Sequence, residues 1–103
     1  MAEASETEIR QSGFIELFDH LARIQKPLIA AVNGFAMGMG WYMTVGCDIR
    51  VAAEGAQFAM SEIPTGVVGP YWLTAEEVLP WCVGAEVTLL GERLSAERLL
   101  ALG

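Results

Sequence analysis

The stretch Asn33-Gly34-Phe35-Ala36-Met37-Gly38-Met39-Gly40-Trp41-Tyr42-Met43-Thr44-Val45-Gly46 decides how the rest of the chain is read. Ahead of it runs Leu28–Val32, aliphatic enough for a buried strand. Asn33-Gly34 has turn chemistry, because both residues tolerate positive φ. Gly38 and Gly40 let the backbone approach something closely, and Met39–Gly46 reads as a short buried helix. A strand, a glycine-rich turn and a helix start leave backbone N–H groups without intrahelical partners. Such a turn can hold an anion, or an oxygen that becomes negative during a reaction. The competing reading of the two glycines is tight packing of helix on strand.

Working outward, Phe14, Leu17, Phe18, Leu21 and Ile24 recur at helical spacing and predict an amphipathic helix over Ser12–Gln25. Glu16, Asp19, His20 and Arg23 fill its other side, and Pro27 bars its continuation. His20 is the only histidine, and its place on the polar face makes it a solvated side chain. Met1–Thr7 reads as a frayed start in which Ser5 and Glu8 have capping-box spacing. Asp48–Ala53 is a second strand, with Asp48 and Arg50 as structural charges bounding it. Glu54-Gly55 is a turn, Ala56–Met60 a short extended piece and Ser61–Gly69 a loop. A helix begins near Tyr71 and ends around Pro80–Gly84, and Ala85–Leu90 adds a turn or two closed by Gly91. Ser95 caps Ala96–Leu102, with Gly103 at the C-cap. This order favours an α/β layered fold.

A length of 103 residues bounds the chain to one small domain. Hydrophobic residues make up 53% and charged ones 18%, so exposed apolar surface is expected, to be met by a partner, a ligand or further sequence. The net charge of −7 argues against nucleic acid and against anionic membrane surfaces. Leu28 to Cys47 carries no charge, and about twenty such residues can span a bilayer. Gly34 to Gly38 even has the small-residue spacing of packed membrane helices. Asn33 and the glycines Gly34, Gly38, Gly40 and Gly46 dilute that helix, so the strand-turn-helix reading is preferred. Cys47 and Cys82 lie among apolar residues and read as buried free thiols rather than a disulfide. No Cys/His cluster has metal-ligand spacing, so no metal is expected. Met1–Arg10 resembles no signal peptide, which makes a cytoplasmic compartment the default.

Lys26-Pro27-Leu28-Ile29-Ala30-Ala31-Val32-Asn33-Gly34-Phe35-Ala36-Met37-Gly38-Met39-Gly40 resembles the signature of the enoyl-CoA hydratase/isomerase family, the crotonases. The likeness continues through Cys47-Asp48-Ile49-Arg50-Val51-Ala52, Ala56-Gln57-Phe58 and Ser61-Glu62-Ile63. It closes on Gly91-Glu92-Arg93-Leu94-Ser95-Ala96-Glu97 and Leu102-Gly103. The resemblance implies part of a ββα spiral, trimeric assembly and acyl-CoA thioesters as substrates. Coenzyme A would be carried by the substrate, with no separate cofactor. It also implies that the Met39 N–H is one of two backbone donors to the thioester oxygen. Segments that the family has upstream of Phe14 and beyond Gly103 find no counterpart, so the resemblance is to a central segment of the domain.

Two positions depart from the hydratase pattern. Hydratases of this family carry one glutamate just after the glycines and a second in the later loop. Here Tyr42 stands at the first, with an ordinary pKa of about 10, and Glu62 at the second. Hydration wants two carboxylates around one water, whereas one carboxylate suits a 1,3-proton shift. Gly66-Val67-Val68-Gly69-Pro70-Tyr71-Trp72 is similar to the aromatic version of this loop in some of the family's isomerases. The resemblance therefore implies an isomerase-like or lyase-like acyl-CoA enzyme, with Glu62 as acid/base. Pro70, Tyr71 and Trp72 would bound the substrate pocket together with Gly38 and Gly40. Tyr42 is left between a substrate-orienting role and that of a core aromatic. Met37, Met39, Met43 and Met60 suit an adaptable pocket or simple core filling. The alternative for the whole chain is a non-catalytic fragment that associates with itself or with a fuller family member.

Overall fold

The computed structural model describes residues 5–60, 62, 65–66 and 78–103. Helix α1 (Glu6–Arg23) starts directly after Ser5, earlier than the apolar spacing predicts. It ends at Arg23, where the Ile24 N–H reaches back three residues to the Leu21 carbonyl at 3.3 Å. Strand β1 (Ile29–Val32) pairs in parallel with β3 (Ile49–Ala52), Ile29 facing Ile49 and Val32 facing Ala52. A second sheet places β4 (Gln57–Ala59) between β2 (Phe35–Met37), parallel, and β5 (Leu94–Ser95), antiparallel. Helix α2 (Met39–Val45) follows β2 after a single residue, Gly38.

Strand β2 corrects the sequence reading, which placed only a glycine-rich turn between the Leu28–Val32 strand and the Met39–Gly46 helix. Among the described residues positive φ falls only on glycines 38, 66, 91 and 103, so Asn33-Gly34 does not use the freedom it has. The chain only bends at Gly34 before β2 pairs in parallel with β4, and the Gly34 carbonyl accepts the Gln57 N–H at 3.0 Å. The reversal occurs at Gly38, with φ 54° and ψ −114°.

The core gathers Ala36 of β2, Trp41 and Tyr42 of α2, Phe58 of β4, then Met60, Val87 and Leu94. Trp41 meets Phe58 edge-on at 6.2 Å between ring centroids. Asp48 and Arg50 have the structural roles expected of them. Asp48 Oδ2 accepts the Leu28 N–H at 2.8 Å, and the Arg50 guanidinium donates to the Cys47 carbonyl at 2.6 Å. That cation closes the carbonyl end of α2, where positive charge is favourable.

Pro80 is not part of a helix that runs on to Gly84. It is the N-cap of a new one, α3 (Trp81–Ala85), which passes into a π-helical turn over Glu86–Leu90. Gly91 closes that turn at φ 66°. Residues 71–77, where the sequence predicts the start of the earlier helix, lie outside the described residues. Helix α4 (Ala96–Leu102) is capped as expected, the Ser95 hydroxyl oxygen accepting the Arg98 N–H at 3.1 Å. Arg98 also binds both Glu86 carboxylate oxygens, at 2.8 and 3.3 Å, tying α4 to the π-turn. Both cysteines are free thiols, but neither is buried: Cys47 is half-buried and Cys82 exposed. Flanking apolar residues misled that expectation, because Trp81 beside Cys82 is itself 70% exposed.

Candidate active site

Strands β2 and β4 end side by side, and both chain ends feed one place. The Gly38 N–H donates to the Ala59 carbonyl at 3.1 Å, so the last residue of β4 is fixed to the turn that starts α2. Two residues beyond Met60, Glu62 folds back over that turn. A Cβ built on Gly38 would stand 3.1 Å from Glu62 Oε1. Glycine at 38 therefore serves two needs, a positive φ that other residues rarely adopt and room for a carboxylate.

Gly40 differs. A Cβ there would meet only the Ala36 Cβ, at 3.9 Å, an ordinary contact. The close approach that the sequence suggests at both glycines is required at Gly38 alone among the described residues.

Met39, the first residue of α2, is half-buried. Its N–H is the next backbone donor after the engaged one of Gly38, at a helical position with no carbonyl four residues back inside the helix. Tyr42 sits one turn on, its N–H bonded to the Gly38 carbonyl at 3.1 Å. The side chain is 5% exposed and meets Phe18 of α1 edge-on, centroids 5.9 Å apart. Burial, and then the nearby Glu62 carboxylate, push the Tyr42 phenol from 10 up to about 12. Tyr42 is thus a core aromatic and a neighbour of the site at once. It stays a neutral phenol at any physiological pH.

Glu62 Oε2 is buried and has no hydrogen-bond partner among the described residues. Buried carboxylate oxygens are normally bonded, so this one stands apart from the usual pattern among the described residues. The Thr65 hydroxyl donates to the Glu62 carbonyl at 3.0 Å and steadies the loop behind it. Sequence reasoning passed over Thr65, although a threonine three residues after Glu62 has the spacing of a local side-chain turn. The structure brings Gly38, Met39, Tyr42 and Glu62 together, with Gly40 next in α2. Pro70, Tyr71 and Trp72 lie outside the described residues.

A groove of about 750 Å³ lies elsewhere, between β3 and α4, lined by Ile49, Arg50, Ala52, Leu99 and Leu100 among others. It includes none of the residues that meet at Gly38. Among the described residues no helix is long and apolar enough to cross a membrane.

A sequence profile of the enoyl-CoA hydratase/isomerase family matches residues 1–103. The mitochondrial enoyl-CoA hydratase of Pongo abelii is 42% identical over 90 residues, covering 84% of this chain and 30% of that protein. A carnitinyl-CoA dehydratase of Salmonella paratyphi B is 38% identical over 94 residues, 89% of this chain and 34% of its own. The chain thus spans about a third of the length of these curated relatives. Among solved structures, DspI of Pseudomonas aeruginosa matches with a TM-score of 0.87 and 30% identity, over 99% of this chain and 43% of its own. An enoyl-CoA hydratase from Polaromonas sp. JS666 gives 0.85 and 36%, over 98% and 40%. The ββα arrangement, the Gly38 turn and a profile match over the full length agree, and the chain belongs to the enoyl-CoA hydratase/isomerase, or crotonase, family.

Proposed function

We propose that this chain contributes the acid/base half of an acyl-CoA site, with Glu62 moving the proton and the Met39 N–H holding the thioester oxygen. The observation that carries the reading is the Glu62 carboxyl, laid against the Gly38 turn with one oxygen buried and unbonded among the described residues. In a 3-enoyl thioester, Glu62 takes a proton from the α carbon, and the electron pair moves into the thioester carbonyl. Negative charge then develops on the oxygen, where a fixed backbone N–H stabilises it. Return of the same proton to the γ carbon gives the 2-enoyl thioester, and Glu62 is a carboxylate again.

Tyr42 supports the preference for isomerase-like or lyase-like chemistry over simple hydration. A phenol titrating near 12 does not take a proton from water at neutral pH, which leaves Glu62 as the one carboxylate at the Gly38 turn among the described residues. In the intact protein, hydration of crotonyl-CoA is expected to be weak, and Tyr42→Glu is expected to raise it. Ordinary hydratase turnover by the wild type would contradict the role given to Tyr42. Trimer-based assembly is proposed on the same family ground. One observation favours a second reading, in which the chain mainly associates: Phe35, Trp81 and Leu100 are 72%, 70% and 82% exposed.

A further inference from the structure

A threonine sits where a valine would fill the same space. Thr88 is 1% exposed and lies in the π-turn, with Val87 beside it fully buried and Leu89 and Leu90 turned outward. A hydroxyl in such a place costs burial free energy that a methyl group does not. This one donates to the Met60 sulfur at 3.6 Å, and Met60 is also 1% exposed. Met60 is the residue between the end of β4 and the segment that carries Glu62.

The π-turn explains how the hydroxyl gets there. One extra residue per turn shifts the register of side chains around the axis, and such turns often occur at functional sites. The shift here is held at three points. Arg98 grips Glu86 from α4, the Gly91 N–H bonds the Val87 carbonyl at 3.1 Å, and Gly91 takes the left-handed conformation that ends the turn. The end of β4 is therefore fixed on two sides. Ala59 is bonded to Gly38, and Met60 is bonded to Thr88. Beyond them the Thr65 hydroxyl holds the Glu62 carbonyl.

We propose that Thr88 is a positioning residue for Glu62: by holding the Met60 sulfur it sets where the Glu62 carboxyl meets the Gly38 turn. The proposal rests on the reading of Glu62 as the acid/base. Thr88 touches no substrate; it acts through the chain end it anchors. A displacement of a catalytic group by about 1 Å can cost on the order of 100-fold in rate. The acceptor is a thioether sulfur, so the bond can be removed by Met60→Leu without emptying the core.

The test follows deuterium incorporation from heavy water into an unsaturated acyl-CoA by the intact protein, with kcat and KM measured separately. Thr88→Val keeps the volume and deletes the hydroxyl; Thr88→Ser keeps the hydroxyl; Met60→Leu keeps the volume and deletes the acceptor. Thr88→Val and Met60→Leu are each expected to lower kcat by about 10- to 100-fold and to leave KM within about twofold. Thr88→Ser is expected to stay within about threefold of the wild type. In the double variant Thr88→Val with Met60→Leu the kcat loss should fall short of the product of the two single losses, because both changes break the Thr88–Met60 bond. Wild-type kcat in Met60→Leu, or a loss in Thr88→Ser as large as that in Met60→Leu, overturns the proposal, and these two variants decide it even if Thr88→Val does not fold. Glu62→Gln in the same assay separates the two claims. If Glu62→Gln is inactive while Thr88→Val is normal, Thr88 alone has been misread. If Glu62→Gln exchanges normally, the assignment of Glu62 falls, and Thr88 with it.

Discussion

Two sheets of similar size are treated very differently by this chain. Around β2, β4 and β5 the side chains are closed in: Ala36, Phe58 and Leu94 are 4%, 4% and 1% exposed. Along β1 and β3 most of the large apolar residues face outward, with Ile29, Ile49 and Val51 at 62%, 52% and 59% exposed, while Val32 packs against the core. The first sheet delivers Gly38 and Glu62 to one point; the second presents mostly apolar side chains, with Arg50 among them, and two unpaired backbone edges among the described residues. The Gly38 turn and Glu62 are thus tied into the closed region, through the Gly38–Ala59 hydrogen bond and the core around Tyr42, Phe58 and Met60. The β1–β3 ribbon instead waits for cover, since two strands alone rarely make a stable sheet.

The largest effect on the fold should come from breaking the closed region at the Gly38 turn. Gly38→Ala places a Cβ against Glu62 Oε1 and forces a non-glycine residue to φ 54°. A loss of stability of about 1–3 kcal/mol is expected in a denaturant titration, with exchange slowed on the order of 100-fold as the carboxyl shifts. Gly40→Ala is the matched control. It meets only the Ala36 methyl at 3.9 Å and lies inside α2, so it should be neutral or stabilising by about 0.5–1 kcal/mol. Equal damage at both positions would show that the turn, and not the carboxyl, needs glycine.

Next comes the open region. The 103-residue chain is expected to self-associate in sedimentation experiments, and Val51→Lys on β3 should shift it towards the monomer. A stable monomer of the unmodified chain at micromolar concentration would mean the exposed ribbon needs no cover.

The smallest expected effect is an alkaline one. Tyr42 has its pKa raised in the folded state, so the protonated phenol is favoured by folding. That contribution is complete below pH 10 and is lost as pH rises from about 10 through about 12. Tyr42→Phe should remove this part of the pH dependence of stability in denaturant titrations. An unchanged alkaline limb would mean Tyr42 is not the buried, Glu62-coupled phenol described.

Much of this was legible in the residues. Leu28–Val32 and Asp48–Ala53 announced their strands through aliphatic runs, and Ser95 announced α4 through its capping position. Glu62 and Tyr42 stood out only by resemblance, since nothing in periodicity marks a lone loop carboxylate. Strand β2 was hidden because its Phe-Ala-Met sits between turn-forming glycines, and only pairing with β4 decides its conformation. The two-residue β5 is equally a tertiary product. The π-turn was invisible for a further reason: Glu86–Leu90 has ordinary helix formers, and its extra residue is set by Arg98 and Gly91 rather than by local preference.

The central claim is that Glu62 moves the proton, and one substitution tests it most directly. Glu62→Gln keeps shape and hydrogen-bonding capacity but removes the base. Incubated in heavy water with an unsaturated acyl-CoA, the variant is expected to bind the thioester as the wild type does, because the Gly38 turn and the Met39 N–H are untouched. Incorporation of deuterium at the α or γ carbon, followed by mass, should fall by about 10²–10⁴-fold, the usual contribution of a positioned acid/base. Undiminished incorporation in the Gln variant would contradict the account and assign the proton to another group.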